Sequence, residues 1–420
     1  MSVRRLTTSV ALLVAALGTS RAQTPPYANA LAPVPGSQLT VTLVTFGLGE
    51  EVFERFGHNM LWIHDAITQQ DSAYHWGLFS FNEPGFYVRF LTGETKYWMG
   101  AVDPRLQIAY ERSRGRPITL QRLNLSPAQA LALREFVRWN ALDENKYYRY
   151  DYFADNCSTR LRDALDRALG GALRRATDTA RTALSYRRES VRLTDGDVPV
   201  QAGIDVALGR PADAPLTKWE SFFIPMRLRD AIAAMRIPGP NGVDVPLVSH
   251  EETVPPPPNA ALTAEATIAP RLAPRYLALG VLLGALVVVL RVMMLSRRSA
   301  AWGLAFFGSA WSLLCGALGV ILLLAWFATK HVFWASNENV LLLTPLSLTL
   351  VFLIPAAILR GRRARGARMI ATVVALLGVV AALMAIAPGG QENRAVVALF
   401  LPVHLALGWA LGLPRPAATL

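Results

Sequence analysis

The chain has 420 residues, is 52% hydrophobic and carries a formal net charge of +12. That excess is concentrated at one end: from Arg271 onward there are 13 Arg and Lys against two acids, Glu338 and Glu392, so the first 270 residues are almost neutral. Basic residues confined to short loops between apolar runs belong beside a membrane, and this pattern excludes a nucleic-acid surface.

Residues 1–22 read as a secretory signal. Arg4 and Arg5 are followed by the apolar run Val10 to Leu17, and Ser20 and Ala22 are the small residues of a cleavage site; an uncleaved anchor is the alternative. A Pro/Ala-rich leader follows over 23–37. Leu39 to Phe46 alternates apolar residues with Thr, as a strand does. His58 opens a second strand that runs through Leu61 and Ile63, with Asp65 near its end. Ser72 to Phe81 is its antiparallel neighbour across the polar turn 68–71. Phe86 to Gly100 is rich in aromatics and could line a groove. Ile118 to Leu125 is another strand, and Ser126-Pro127 starts a helix through Leu142.

After four tyrosines comes Asp155-Asn156-Cys157, at the head of an amphipathic helix. Leu161, Ala164, Leu165, Ala168 and Leu169 keep the helical period, and Gly170-Gly171 closes it. Asp155 or Asn156 is the natural N-cap. Residues 172–237 form helical pieces broken by Gly and Pro. Residues 238–274, with four prolines from Pro255 to Pro258, read as a linker. Five spans then follow, near 275–295, 302–328, 340–359, 369–387 and 395–413. The loops 296–301 and 360–368 are rich in Arg and are therefore expected in the cytoplasm. The N-terminal domain then lies on the outer side, in agreement with the signal segment. His331, Trp334, Asn337, Glu338 and Asn339 fall in an outer loop beside it, either as an interfacial belt or as a substrate contact. His404, in the last span, is expected to have a polar partner.

Only Cys157 and Cys315 are present, and Cys315 lies within a span. Cys157 therefore has no disulfide partner in its own exported domain, which favours a nucleophile over a buried spectator. In the first turn of a helix, free backbone N–H groups and the helix dipole favour thiolate. His58, His64 and His75 are candidate bases, while His250 falls in the linker and is set aside. His58 and His64 stand at even spacing, so strand alternation does not separate them. No closely spaced His/Cys cluster suggests a metal, and no cofactor is expected.

A Gly-His strand, a paired second strand and a later Asn-Cys at a helix start resemble the circularly permuted papain-like thiol hydrolases, including NlpC-type peptidases and lecithin retinol acyltransferase-like enzymes. More closely, Phe56-Gly-His-Asn59, Trp76-Gly-Leu-Phe79, Asp155 to Arg160 and the outer loop His331 to Asn339 resemble the Lnb-type lipoprotein N-acyltransferases, over roughly residues 39–360. The resemblance implies an α+β, permuted papain-like domain over 39–237, an antiparallel sheet with helices, followed by a helical membrane domain over 275–413. It implies Cys157 as nucleophile and His58 as base. His75 takes the third, orienting position, for which Asp65 and His64 compete. Asn156, Asn59 and Asp155 are implied supports of the helix start or of an oxyanion, and His331, Asn337 and Asn339 a substrate loop. The expected reaction moves a fatty acyl chain from a phospholipid, through a Cys157 thioester, to the N-terminal amine of a diacylglyceryl-cysteine on an apolipoprotein. It would run at the outer face of a bacterial inner membrane. The alternatives are a membrane-anchored cysteine hydrolase, acting on phospholipid or on peptidoglycan, and a non-catalytic binding module.

Overall fold

The computed structural model describes residues 34–239, 242–258 and 265–413. The signal segment 1–22 lies outside the described residues, as does most of the leader. β1 (Leu39–Phe46), β2 (His58–Asp65) and β3 (Gln70–Leu78) form an antiparallel meander, with Phe46 opposite His58 and His64 opposite Asp71. Alternation sorts their side chains. Leu43, Leu61, Ile63, Tyr74 and Trp76 pack on one face of the sheet, while Val44, Phe46, Met60 and Ala73 form a separate cluster. Asp65 holds the β2–β3 turn by accepting from the N–H groups of Ile67 and Thr68.

The aromatic stretch divides into α1 (Phe86–Thr92) and β4 (Lys96–Val102). Gly85 and Gly93 flank α1 at φ 74° and 73°, a left-handed conformation open to glycine at little cost. Next come α2 (Pro104–Ser113), β5 (Ile118–Leu123), α3 (Pro127–Asn140), β6 (Tyr147–Arg149) and α4 (Cys157–Ala168). Ser126 caps α3 through the Gln129 N–H, and the Gln129 side chain accepts in return from the Ser126 N–H. Leu133 and Val137 of α3 join Leu161 and Leu165 of α4 over the sheet, all within 1% of full burial. Burial of two such leucines contributes about 4 kcal/mol.

Five short helices follow: α5 (Ala172–Thr177), α6 (Tyr186–Leu193), α7 (Val198–Ala207), α8 (Lys218–Ser221) and α9 (Pro225–Ala234). The stretch read as a linker is not wholly one. β7 (Arg236–Pro238) pairs with β8 (Asp244–Pro246), and β9 (Val248–Val254) adds to β5 as the last strand of a seven-stranded sheet, in the order β6-β4-β3-β2-β1-β5-β9. β9 is an exposed edge carrying His250, Glu251 and Glu252, so its charge hid the strand signal; polar side chains are what an edge strand tolerates. His250 thus stands on the sheet, far along its outer edge.

The membrane half holds α10 (Leu272–Met293), α11 (Arg298–Ala328), α12 (Ser347–Arg360), α13 (Ala364–Ile386) and α14 (Arg394–Gly412). Four of these are long and apolar enough to cross a bilayer. The third expected span, 340–359, is helical only over its latter part: α12 has 14 residues, about 21 Å at the helical rise. The apolar run ahead of it turns back into the bundle, where Leu342 and Leu343 are fully buried. The Leu343 carbonyl comes so close to Gly319 that a Cβ there would stand 1.7 Å from its oxygen. His404 has the polar partner its depth demands, with Nε2 3.0 Å from the Leu342 carbonyl of that same turn.

Candidate active site

Asn156 is the N-cap of α4. Its Oδ1 accepts from the Ser158 and Thr159 N–H groups at 2.9 and 3.0 Å, and its Nδ2 donates to the carbonyls of Tyr152 and Phe223. All its hydrogen-bonding capacity on Nδ2 is thereby directed at the backbone, so the side chain shapes the helix start and has no N–H left for an oxyanion. Asp155 binds Arg160 through both carboxylate oxygens, at 2.5 and 2.6 Å, and the guanidinium lies over the Tyr148 ring. Cys157 follows in the first turn with its side chain 8% exposed.

Opposite it, β2 and α4 are fastened together one residue from each reactive group: Asn59 Nδ2 donates to Ser158 Oγ at 3.2 Å, and Ser158 Oγ donates to the Phe222 carbonyl. Regular pairing of β3 with β4 is interrupted between His75 and Leu78, next to the thiol residue. Gly77, at φ 91°, sits against the thiol residue, and a Cβ there would be 3.3 Å from that of Cys157. His58 Nε2 and His75 Nδ1 are 2.9 Å apart with their rings edge to face, and His58 stacks on Phe46. His58 therefore spends its hydrogen bond on His75 rather than on the thiol. With Nε2 engaged, Nδ1 is the nitrogen left to accept a proton. That tautomer makes His75 Nε2 an N–H, and this atom is buried without a partner among the described residues.

The electrostatics depart from the helix-dipole expectation. Burial pushes the Cys157 thiol up to about 11, against the backbone N–H groups of Ser158, Asn59 and Cys157 itself and the charge of Arg116, which pull it down. Burial lowers His75 to about 4. Burial, then His75 and Arg116, hold His58 well below the ordinary imidazole value. At rest the thiol and the histidine pair are both neutral, and at Cys157 desolvation outweighs the dipole.

The competitors for the third position lie elsewhere. His64 Nδ1 is 3.0 Å from Asp71 Oδ1, which also accepts from Trp62 Nε1, and Asp65 pairs with Arg134. The outer loop is a joint more than a free contact surface. Asn337 Nδ2 donates to the Val206 and Ala207 carbonyls, and Asn339 Nδ2 to that of Val206, at the end of α7. Asn393 Nδ2 donates in turn to Asn339 Oδ1. His331 Nε2 is 3.0 Å from the Phe90 carbonyl, and its ring lies between Trp334 and Tyr152. Arg187 forms the other half of the joint, buried between Asp205 and Asp213, while the Glu392 N–H donates to Asp213 Oδ2. Sequence reasoning quoted Ser158 and Gly77 within motifs but gave them no role, and it did not single out Arg116. Only the Gly-Arg-Pro run at 115–117, an isolated charge at a strand start, hinted at the last. Among the described residues, no three His, Cys, Asp or Glu side chains gather as a metal site would require.

The fold and site define a membrane protein: an antiparallel α+β domain bearing a helix-capped cysteine and a histidine pair, followed by a helical membrane domain. The family described as the Lnb N-terminal periplasmic domain matches residues 27–186, and that described as the Lnb transmembrane domain matches residues 268–409. The chain belongs to the Lnb family: it is a membrane protein with a periplasmic N-terminal domain. No curated protein and no solved structure gives a match.

Proposed function

We propose that the protein is a thiol-dependent acyltransferase of the bacterial inner membrane, with its Arg-rich loops in the cytoplasm. Cys157 takes a fatty acyl chain from a phospholipid and passes it to the N-terminal amine of a diacylglyceryl-cysteine on an apolipoprotein. The observation that supports this reading is the clasp between Asn59 and Ser158, which ties together the chain neighbours of His58 and Cys157, with His58 paired to His75, in a domain joined to membrane helices.

Because thiol and imidazole both rest neutral, the proton moves only as the attack proceeds. His58 Nδ1 takes the thiol proton while sulfur bonds to the ester carbonyl carbon, and His75 orients the imidazole through Nε2. The backbone N–H of Cys157, at the free end of α4, faces the developing oxyanion. His58 returns the proton to the departing lysophospholipid oxygen, leaving a thioester. The lipoprotein amine then attacks the thioester, His58 takes the amine proton, and Cys157 is released with an amide formed. Asn59, Asn156 and Asp155 position these groups, and the loop with His331, Asn337 and Asn339 holds the thiol domain at the membrane surface.

The test is intact mass measurement of the purified full chain after incubation with phospholipid alone. Wild type should gain the mass of one acyl chain, labile to hydroxylamine, and Cys157→Ala should gain none. A diacylated lipopeptide should then discharge the adduct and become triacylated. An unmodified wild-type protein with a reduced thiol would sink the proposal, and discharge to water alone would make the protein a phospholipase.

A further inference from the structure

Apart from the buried Phe86, the apolar side chains of α1 are turned outward. Tyr87, Val88 and Leu91 are each at least 65% exposed, with Phe90 and Phe81 about half exposed. On a freely solvated domain this patch would be costly, since ~25 cal/mol is forfeited for each Å² of apolar surface left in water. Its position supplies an occupant. The Lys330 N–H donates to the Thr92 carbonyl at 2.8 Å, and His331 Nε2 meets the Phe90 carbonyl. α1 is thus tied to the chain two residues beyond the end of α11. That end carries Leu324 and Phe327, 56% and 75% exposed on the lipid-facing side of a membrane helix. Trp302 and Trp326 of α11 stand about 36 Å apart at the helical rise, between the ~30 Å of a hydrocarbon core and the ~40 Å that includes headgroups. They mark the two interfaces of the bilayer. Lys330, and α1 with it, then falls at headgroup depth, where the apolar surface of α11 continues into that of α1.

Behind this patch the aromatic rings lead inward. Phe90 stacks on Phe86 at 6.0 Å, Phe86 on Phe79 at 5.8 Å, Phe79 on Tyr97 at 5.0 Å and Tyr97 on Tyr150 at 4.4 Å. The series ends at Gly77, where a Cβ would touch Tyr150 on one side and Cys157 on the other. We propose that α1 is a lip seated in the periplasmic leaflet of the bilayer, and that the aromatic series beneath it guides the donor acyl chain from the leaflet to Cys157. The second half of this proposal rests on the acyl-transfer reading above; the first does not.

Two experiments on the full chain separate the halves. In a Cys157→Ala background, Val88→Cys or Thr68→Cys, the latter on the exposed β2–β3 turn, is labelled with an environment-sensitive fluorophore. The protein is then reconstituted into phosphatidylethanolamine/phosphatidylglycerol vesicles that carry a nitroxide on shallow acyl carbons. The label at position 88 should be quenched and blue-shifted, and that at 68 should not; equal behaviour at the two positions overturns the lip. The second experiment introduces Val88→Asp with Leu91→Asp. Acylation of Cys157 by phospholipid vesicles should slow about tenfold or more, the loss expected when apolar anchoring is exchanged for charge. Alkylation of the thiol by iodoacetamide at the slow wild-type rate, and no faster, reports that the fold is intact. Acylation at the wild-type rate overturns the path. If wild type itself never acylates, the transfer reading fails while the quenching result still decides the lip.

Discussion

Replacing Asn156 with Ala tests whether this residue builds the helix start or touches the reacting carbonyl. Four hydrogen bonds of a side chain 5% exposed are removed at once. Loss of an N-cap costs about 1 kcal/mol. The Tyr152 and Phe223 carbonyls then lose a buried donor, at about 1 kcal/mol each at the low end of the range. The expected destabilisation is about 3 kcal/mol, and Asn156→Ser, which restores an acceptor for the cap but not the two amide N–H donors to Tyr152 and Phe223, should recover about a third of it. Thermal unfolding of the full chain in detergent, read by near-ultraviolet circular dichroism, measures the loss. Acyl-enzyme formation should fall with stability in the series wild type, Ser, Ala, because Cys157 occupies the frayed turn. An Asn156→Ala protein of wild-type stability with acylation reduced about a hundredfold would refute the argument, since only a direct oxyanion contact separates the two.

Other outcomes follow from the same site and joint. With its thiol pushed up to about 11, Cys157 should be alkylated by iodoacetamide about tenfold faster per pH unit between 7 and 9; a rate independent of pH there would mean that thiolate is already present. His75, lowered to about 4 when folded, binds a proton in the unfolded chain at pH values where the folded protein does not. Stability should therefore be lost as pH falls from about 6.5 to 4, by ~3 kcal/mol from this group, and the drop in unfolding midpoint over that window should be smaller in His75→Gln. Arg187→Ala strands two buried carboxylates, Asp205 and Asp213, and should cost about 3–5 kcal/mol. Arg187→Lys should recover little, because one ammonium cannot also reach the Leu208 carbonyl; full recovery in a melting experiment would contradict the geometry.

The sequence exposes the parts of this chain that follow a period or obey a capping rule. The meander β1–β3, the helix started by Ser126-Pro127 and the helix headed by Cys157 all stand where alternation, capping and the 3.6-residue repeat put them. β9 was missed because an edge strand facing water has no apolar alternation to read. The helix of the third span starts later than its apolar run, because Pro345 and the close approach at Gly319 direct Leu341 to Leu346 into a buried turn. At the site, the residue types were legible and their electrostatics were not. A dipole argument sees the helix end but not the packing around it, and packing sets the sign of the shift at Cys157. Asn337 and Asn339 had the look of ligand-binding residues for the same reason that they make good joints, since an amide satisfies exposed carbonyls as readily as it meets a substrate.

That joint also bears on how the protein is made. The rings of Phe153 and Tyr186, beside the Cys157 helix, are covered by Phe333, and the last carbonyls of α7 are met by Asn337 and Asn339. These partners are encoded downstream of α10 and α11, so the exported half emerges from the ribosome with its floor missing. The cluster of Phe153 and Tyr186 is thus completed by a residue that lies beyond two membrane helices in the chain, which ties the packing of the two halves to each other.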